Sequence, residues 1–493
     1  MKKTIFLFFA AVGLSSNLTA QNEHDALRYS QFGITGTARS LGFGGALGSI
    51  GADFGSLSVN PAGLGFYRSS EVLITPLFGN IHSQSDYRGN STEGNRYNLS
   101  LANGGMVYTT DELSGNWEAL NFGIGWNRVA DFNRNINFNA VNDESTMLDK
   151  FQNDLDGYST GQIDYSMFSF PTVLSYDTYL LNPNADSTSY SHVIGNNAVE
   201  QTGSITQRGA IDEYVLSIGA NYNNRLSIGA TLGLPYLHYR ENFSYEEKNT
   251  ADSTSDFQSY QLNSTSRTEG TGVNFKFGLI YRAGWLRIGG AVHSPTYYDM
   301  NDHYSSNMTA NFDTITHTVE SPKGAYNYNL TTPWRLIGSA SLVVMKMGFI
   351  TVDYEWLDYS QAFYSFNNDA LGDDNDLYAN EINQKISALY GTAQNIRMGA
   401  EVALGSFRVR AGYAMSSSPL LQHEGSFNEA GSMKAISFGG GIREEDIFVD
   451  LAYVRTMTKD SRELYTAEGA ENTAVLNTDI TNGSLVLTMG VKF

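Results

Sequence analysis

The last ten residues, SLVLTMGVKF, alternate. Leu485, Leu487, Met489, Val491 and Phe493 fall on one face of an extended strand, and Val486, Thr488, Gly490 and Lys492 on the other. The same period of two returns upstream in pairs of runs joined by very short connections. Residues 214–222 and 226–232 meet around Asn223-Asn224, and 273–281 turns at Ala283-Gly284 into 286–292. Residues 334–342 turn at 346–348 into 350–356, and 396–404 turn at Gly405-Ser406 into 407–413. The run 436–442 turns at 444–446 into 447–453. Long polar stretches separate one pair from the next.

Short turns on one side and long loops on the other describe a membrane barrel, whose strands leave only a weak hydropathy signal. A soluble sandwich would also alternate, but it gives no reason for five outward apolar residues to end on a terminal aromatic. A strand at 72–78, a pair at 99–109 and 121–126, the five pairs and the last strand make fourteen. The expected fold is therefore all-β, a 14-stranded antiparallel transmembrane barrel with both ends on the short-turn side. Strands of about nine to eleven tilted residues suffice to cross the hydrocarbon. Residues from about 130 to 213 hold no clean strand pair and read as one long outer loop. Within it, Asp143 or Ser145 caps a helix with Met147, Leu148, Phe151 and Leu155 on one face and Gly157 as its stop; MFSFPTVL (167–174) follows. A second loop helix is expected from Asn380 as cap, with Ile382, Ile386, Leu389 and Tyr390 as its apolar face and Gly391 as stop.

Lys2 and Lys3 before an apolar run and a small-residue end at Ala20 form a secretory signal, 1–20. The chain has no cysteine, which removes disulfides, thiolate metal sites, cysteine nucleophiles and lipoprotein anchoring together. The formal charge is −20, and −22 without Lys2 and Lys3, which argues against nucleic acid as a partner. Charged residues make up 17%, below the usual share of about 25%, while 30 Tyr, 27 Phe and 49 Gly suit strands with aromatic belts.

A barrel this wide is not filled by its own wall side chains. The Gly/Ala/Ser-rich stretch 21–70, ending in SLSVNPAGLGFY, is suited to fill it, because small residues let backbone pass close to a crowded wall. Asn60-Pro61 starts a turn and Ala62-Gly63 ends it without bulk. VNPAGL in this position resembles the hatch of the FadL family of outer-membrane channels for hydrophobic compounds. GLIYRAGWLRIGGAVHSPTYY (278–298), TPWRL (332–336), NIRMGAEVALGSFRVRAGYAMSSSP (395–419) and the terminal Phe493 also look like family segments, most similar to the hemin receptor-like Bacteroidota branch to which the secretion adaptor PorV is related. The resemblance implies a hatch at 21–70, a barrel at 71–493, and passive uptake of a fatty acid or aromatic hydrocarbon through the outer membrane of a Gram-negative bacterium. Outer loops would catch the ligand and a hatch rearrangement would free it toward an opening in the wall. It implies Asn60, Pro61, Ala62 and Gly63 as gate residues, with outer-membrane lipid and, through Phe493, the barrel assembly machinery as partners. Two rival functions are a PorV-like adaptor for secreted proteins and a hemin-binding receptor.

Arg335, Asp353, Glu355, Arg397, Glu401, Arg408 and Arg410 fall on inward faces. Arginine forks bind carboxylates, so Arg397, Glu401, Arg408 and Arg410 are candidate contacts for an acidic headgroup; the other reading is an ion-pair ladder along the wall. Met147, Phe151, Phe168 and Phe170 are candidate capture residues on the loop, unless they pack the loop itself. His192 and His423 would be the loop histidines open to hemin. DALGDDNDLY (369–378) lacks calcium-loop spacing, GFGGALG (42–48) lacks the nucleotide-loop spacing, and no GxSxG elbow occurs. No catalytic residue, metal ligand or cofactor is expected, and the chain does not read as an enzyme.

Overall fold

The computed structural model describes residues 22–110, 115–195, 197–250, 256–345, 347–366, 373–467 and 473–493; the expected signal and Lys346 lie outside these, as do residues 369–372 of the acidic stretch 369–378. Three short helices, α1 (Glu23–Ser30), α2 (Ala38–Gly42) and α3 (Ser56–Val59), and a 3-10 turn at Pro61–Phe66 precede the first strand. The strands are β1 (Glu71–Tyr87), β2 (Asn90–Thr109), β3 (Trp117–Asp131), β4 (Arg134–Asn142), β5 (Leu181–Pro183), β6 (Tyr190–His192), β7 (Val199–Tyr222), β8 (Leu226–Asn249), β9 (Phe257–Ala283), β10 (Leu286–His293) and β11 (Tyr297–Phe312). There follow β12 (Thr316–Glu320), β13 (Gly324–Thr331), β14 (Arg335–Val344), β15 (Gly348–Asp358), β16 (Phe363–Ser365), β17 (Thr392–Leu404), β18 (Phe407–Ser416), β19 (Met433–Arg443), β20 (Ile447–Thr466) and β21 (Thr473–Lys492).

Every named pairing is antiparallel, and β1 closes on β21 from Glu71↔Lys492 to Tyr87↔Leu476. Four wall strands are broken in two: β4 continues β3 along β7, β11 continues β10 along β9, β13 and β14 pair with β11 and β10, and β16 continues β15. Counted so, the wall has 14 strands, and all the sequence-read strands lie on it. Among the described residues no helix is long and apolar enough to cross a membrane; the strands cross it. Their outward side chains form an apolar band between two aromatic girdles. Tyr97, Tyr214, Tyr236 and Tyr297 mark one edge, and Tyr108, Trp117, Tyr222, Tyr281 and Trp285 the other.

The strands are much longer than crossing requires: β7 has 24 residues and β9 has 27. The strands of 17 residues or more, β1, β2, β7, β8, β9, β20 and β21, extend beyond the girdle at the long-loop end, whereas β18 and β19 have only 10 and 11 residues. What the sequence presents as a polar connection between Phe78 and Leu99 is strand throughout, turned at Arg88-Gly89, both with positive φ (49° and 78°), as a two-residue hairpin turn demands. The long loop likewise shrinks to about 143–198, because β3 and β4 run on to Asn142 and β7 starts at Val199. It carries α4 (Met147–Leu155), capped by the Thr146 hydroxyl rather than by Asp143 or Ser145, and α5 (Phe170–Asp177). The other loop helix, α6 (Asp373–Leu389), begins before Asn380; it buries Ile382 and Ile386 but leaves Leu389 exposed.

Candidate functional site

Residues 22–70 run through the lumen from the long-loop end to the start of β1. Ala26, Tyr29, Ala38, Phe43, Leu47, Phe54, Leu57 and Leu64 are all fully buried there. The wall is shaped for this segment. Gly219, Gly229 and Gly278 stand opposite one another on β7, β8 and β9. A side chain on them would meet Leu64 and Gly65, Pro61 and Ala62, and Asn60 in turn, so the three form a groove for the Asn-Pro-Ala-Gly turn. Gly399 and Gly412 on β17 and β18 form a second groove for Phe43-Gly44. Gly44 itself has φ +77° and a Cβ there would lie 2.7 Å from the Met398 carbonyl, so only glycine fits.

Asn60 braces the turn on both sides. Its Nδ2 donates to the Gly48 carbonyl (2.6 Å) and reaches Leu279 O (3.3 Å) on β9, while its Oδ1 accepts from Ala62 N (3.1 Å). Ser227 Oγ donates to Ala62 O (2.6 Å) and Asn121 Nδ2 to Leu64 O (2.7 Å). All four residues from Asn60 to Gly63 are buried.

The inward charges hold the same segment. Arg410 donates to Glu401 (2.5 Å) and Asp450 (2.6 Å), and Arg39 reaches Glu401 (3.4 Å). Glu355 accepts from both Arg335 (2.7 Å) and Arg397 (2.9 Å), and Arg335 also donates to Ser30 O. Asp353 accepts from Gly48 N (2.8 Å), and Glu213, which pairs with Lys276, accepts from Ser58 Oγ (2.7 Å). Asp53 accepts from Thr37 Oγ1 (2.8 Å); burial raises its carboxyl pKa against the pull of Arg39. Arg397, Glu401 and Arg410 are thus engaged with wall carboxylates and arginines, and Arg408 lies apart, donating to Phe407 O (2.8 Å) at its own turn. The cavity beside Arg335, Glu355 and Arg397 is about 30 Å³, room for little more than a water.

Beside this packing the wall itself is thin. The β2–β3 ladder runs only from Thr109↔Asn121 to Asn103↔Asn127, although β2 continues to Asn90. Farther out, side chains replace the ladder: Asn135 and Asn137 donate to the carbonyls of Asn95 and Glu93 (2.9 Å each), and Asn90 to that of Asn139. The Phe54 ring fills the room left by Gly105 and Gly125, a pair inside the ladder just short of its end, and Gly33 N bonds the Val129 carbonyl (2.9 Å) beside the seam. The seam and the glycine grooves escaped the sequence reading; glycines at matched wall positions were the available signal for the grooves.

At the long-loop end Met147 and Phe151 are buried in a core with Phe138, Tyr245 and Tyr260. Phe168 packs edge-on to Tyr158 (5.1 Å), and Phe170 contacts Tyr165 (5.6 Å) and Tyr304 (5.2 Å). His192 bonds Asp149 (3.0 Å) and His423 ends a 3-10 turn.

These features define a class: a closed fourteen-stranded transmembrane barrel with its N-terminal segment packed in the lumen. No family model and no curated protein sequence matches the chain. Solved structures share its fold. A Pseudomonas aeruginosa FadL homologue superposes with a TM-score of 0.54 at 11% identity over 94% of this chain and 99% of its own. The P. putida toluene transporter TodX gives 0.53 at 11% over 93% and 99%, and the Ralstonia pickettii toluene transporter TbuX 0.50 at 11% over 93% and 99%.

Proposed function

We propose that the chain is an outer-membrane channel for passive uptake of hydrophobic small molecules, with residues 21–70 as the hatch and no chemistry of its own. The short-turn end then faces the periplasm and the long loops face outward. The observation that carries this reading is the coincidence of hatch and seam. Phe54 and Leu57 pack on Gly105, Gly123 and Gly125 inside the β2–β3 ladder, which stops two residues farther out at Asn103↔Asn127, and Gly33 is bonded to Val129 just beyond that end. Withdrawal of the segment from Gly33 to Leu57 would uncover, from the lumen side, the stretch of the seam beyond Asn103 where the ladder is missing. The hatch is held by hydrogen bonds and ion pairs, each worth about 0.5–3 kcal/mol net, so part of it can move without unfolding the barrel. The fold shared with the two toluene transporters and the FadL homologue supports the same reading. Asn60, Pro61, Ala62 and Gly63 would act as gate residues by seating the hatch in its groove.

Uptake of a labelled long-chain fatty acid and of toluene by cells with and without the gene tests this. Faster uptake in the complemented strain supports the channel. Equal uptake of both compounds contradicts it, and is what an adaptor for secreted proteins would give.

A further inference from the structure

A row of arginines crosses the outer wall. Arg208 on β7 stands opposite Arg240 on β8, Arg240 opposite Arg267 on β9, and Arg267 opposite His303 on β11. Their side chains point away from the lumen: the neighbours Gln207, Leu237, Tyr239 and Thr268 are buried, while Arg240 and Arg267 are exposed. Arg96 on β2, across the seam, is in register with buried Ile81 on the face opposite to Tyr97 and Leu99 and does not belong to the row. Asn135 links the two sides, accepting from Arg208 (2.7 Å) and donating to the carbonyl of Asn95 (2.9 Å).

Like charges directly opposite across strands repel, and the local acids do not answer them. Arg208 donates to the carbonyls of Arg134 (3.0 Å) and Gln207 (2.6 Å), and Arg240 to Asn242 (3.3 Å). Among the described residues only Arg267 of the row has a carboxylate, that of Glu269 at 2.5 Å. Asp212 is taken by Arg128 at 2.9 and 3.0 Å, and Asp131 by Asn98 and Asn133. A chain with a formal charge of −20 therefore gathers three arginines on adjacent strands of one strip with one carboxylate among them.

The height of the strip fixes what can reach it. Arg240 lies four residues beyond Tyr236 of the aromatic girdle, which at ordinary strand rise and barrel tilt is about 10 Å above it. That is the headgroup layer, not the hydrocarbon. The geometry points to a docking row for the phosphates of an outer-leaflet lipid, a phosphorylated glycolipid, held by Arg208, Arg240 and Arg267. Guanidinium forks bind phosphate oxygens in pairs, and a headgroup with two phosphates spans neighbouring strands. The inference rests on the outer-membrane placement proposed above, not on transport.

The test uses the full-length protein in nanodiscs, titrated with lipid A and with enzymatically dephosphorylated lipid A, and bound lipid counted by native mass spectrometry. Wild type is expected to favour lipid A by at least about tenfold, as charge-assisted bonds imply, and R208Q/R240Q/R267Q to lose that preference while R208K/R240K/R267K keeps most of it. Equal binding of both lipids by wild type, or an undiminished preference in the Gln variant, overturns the proposal. So does full competition by millimolar inorganic phosphate, which would make the row a free-phosphate site. A heat-modifiable gel shift confirms that each variant is a folded barrel. Membrane fractionation reads the outer-membrane placement separately, so a failure there is distinguishable from a failure of lipid binding.

Discussion

Strand β8 is two different proteins end to end. In its first half Leu226, Ile228, Leu232, Leu234 and Tyr236 point out and Ser227, Gly229 and Thr231 point in. In its second half the parity is unchanged but the chemistry is reversed: His238, Arg240, Asn242 and Glu246 point out, and Leu237, Tyr239 and Tyr245 are buried inside. The crossover between Tyr236 and Leu237 is where the solvent outside the wall changes from lipid to water. Below it the interior is polar, glycine-lined and filled by residues 22–70. Above it the barrel closes around an apolar core of its own, with Phe138, Phe151, Tyr245, Tyr260 and Met308. A closed wall lets each half satisfy its backbone in the ladder, so the side chains are free to follow whichever solvent they meet.

The sharpest way to break this comparison is to hollow the upper core. Phe138→Ala should cost about 3–5 kcal/mol and expose β4 and α4 to hydrogen exchange while the lower strands stay protected; uniform loss would show that the halves are not separate. Charge placed on the two outer faces should come next. Phe277→Arg, in the middle of the lipid band, should cost about 2–4 kcal/mol in denaturant unfolding from vesicles, whereas Asn242→Arg, above the girdle, should change stability by no more than about 0.5 kcal/mol. Gly229→Val tests the inner groove: overpacking against Pro61 should destabilise hatch seating by about 1–3 kcal/mol, read as increased proteolysis within residues 40–65 of an intact barrel.

The smallest effect is electrostatic. Because burial raises the Asp53 carboxyl pKa, the seated hatch binds that proton more tightly than a released one. The contribution of Asp53 to seating is therefore fully present below the ordinary carboxylate range and is lost as pH rises through the raised value. A spin label on Ala52→Cys should grow more mobile as pH rises across this range, and Asp53→Asn should flatten the trend.

The lower half was legible because lipid on one side and a polar lumen on the other leave an uninterrupted alternation, and all fourteen crossing strands could be read from it. The upper halves were not. From Gly79 to Asn98, and again from Ala130 to Asn142, the exposed positions are His82, Asn95, Asn135 and their like, and such a run looks like a loop until its pairing partner is known. The sequence also showed that Arg397, Glu401 and Arg410 face inward. It could not show that Glu355, Arg39 and Asp450 would meet them, because those pairings depend on register and on a segment more than 300 residues away in the chain.

The most direct test of the central claim, that the seated hatch closes the channel, uses the absence of natural cysteine. A Cβ on Gly48 lies 2.7 Å from that of Ser339, within about 1 Å of the separation a disulfide needs. In a Gly48→Cys, Ser339→Cys variant, uptake of a labelled hydrophobic probe should fall to the level of the deletion strain when the disulfide forms and return on reduction. Undiminished uptake through the oxidised variant would contradict the account.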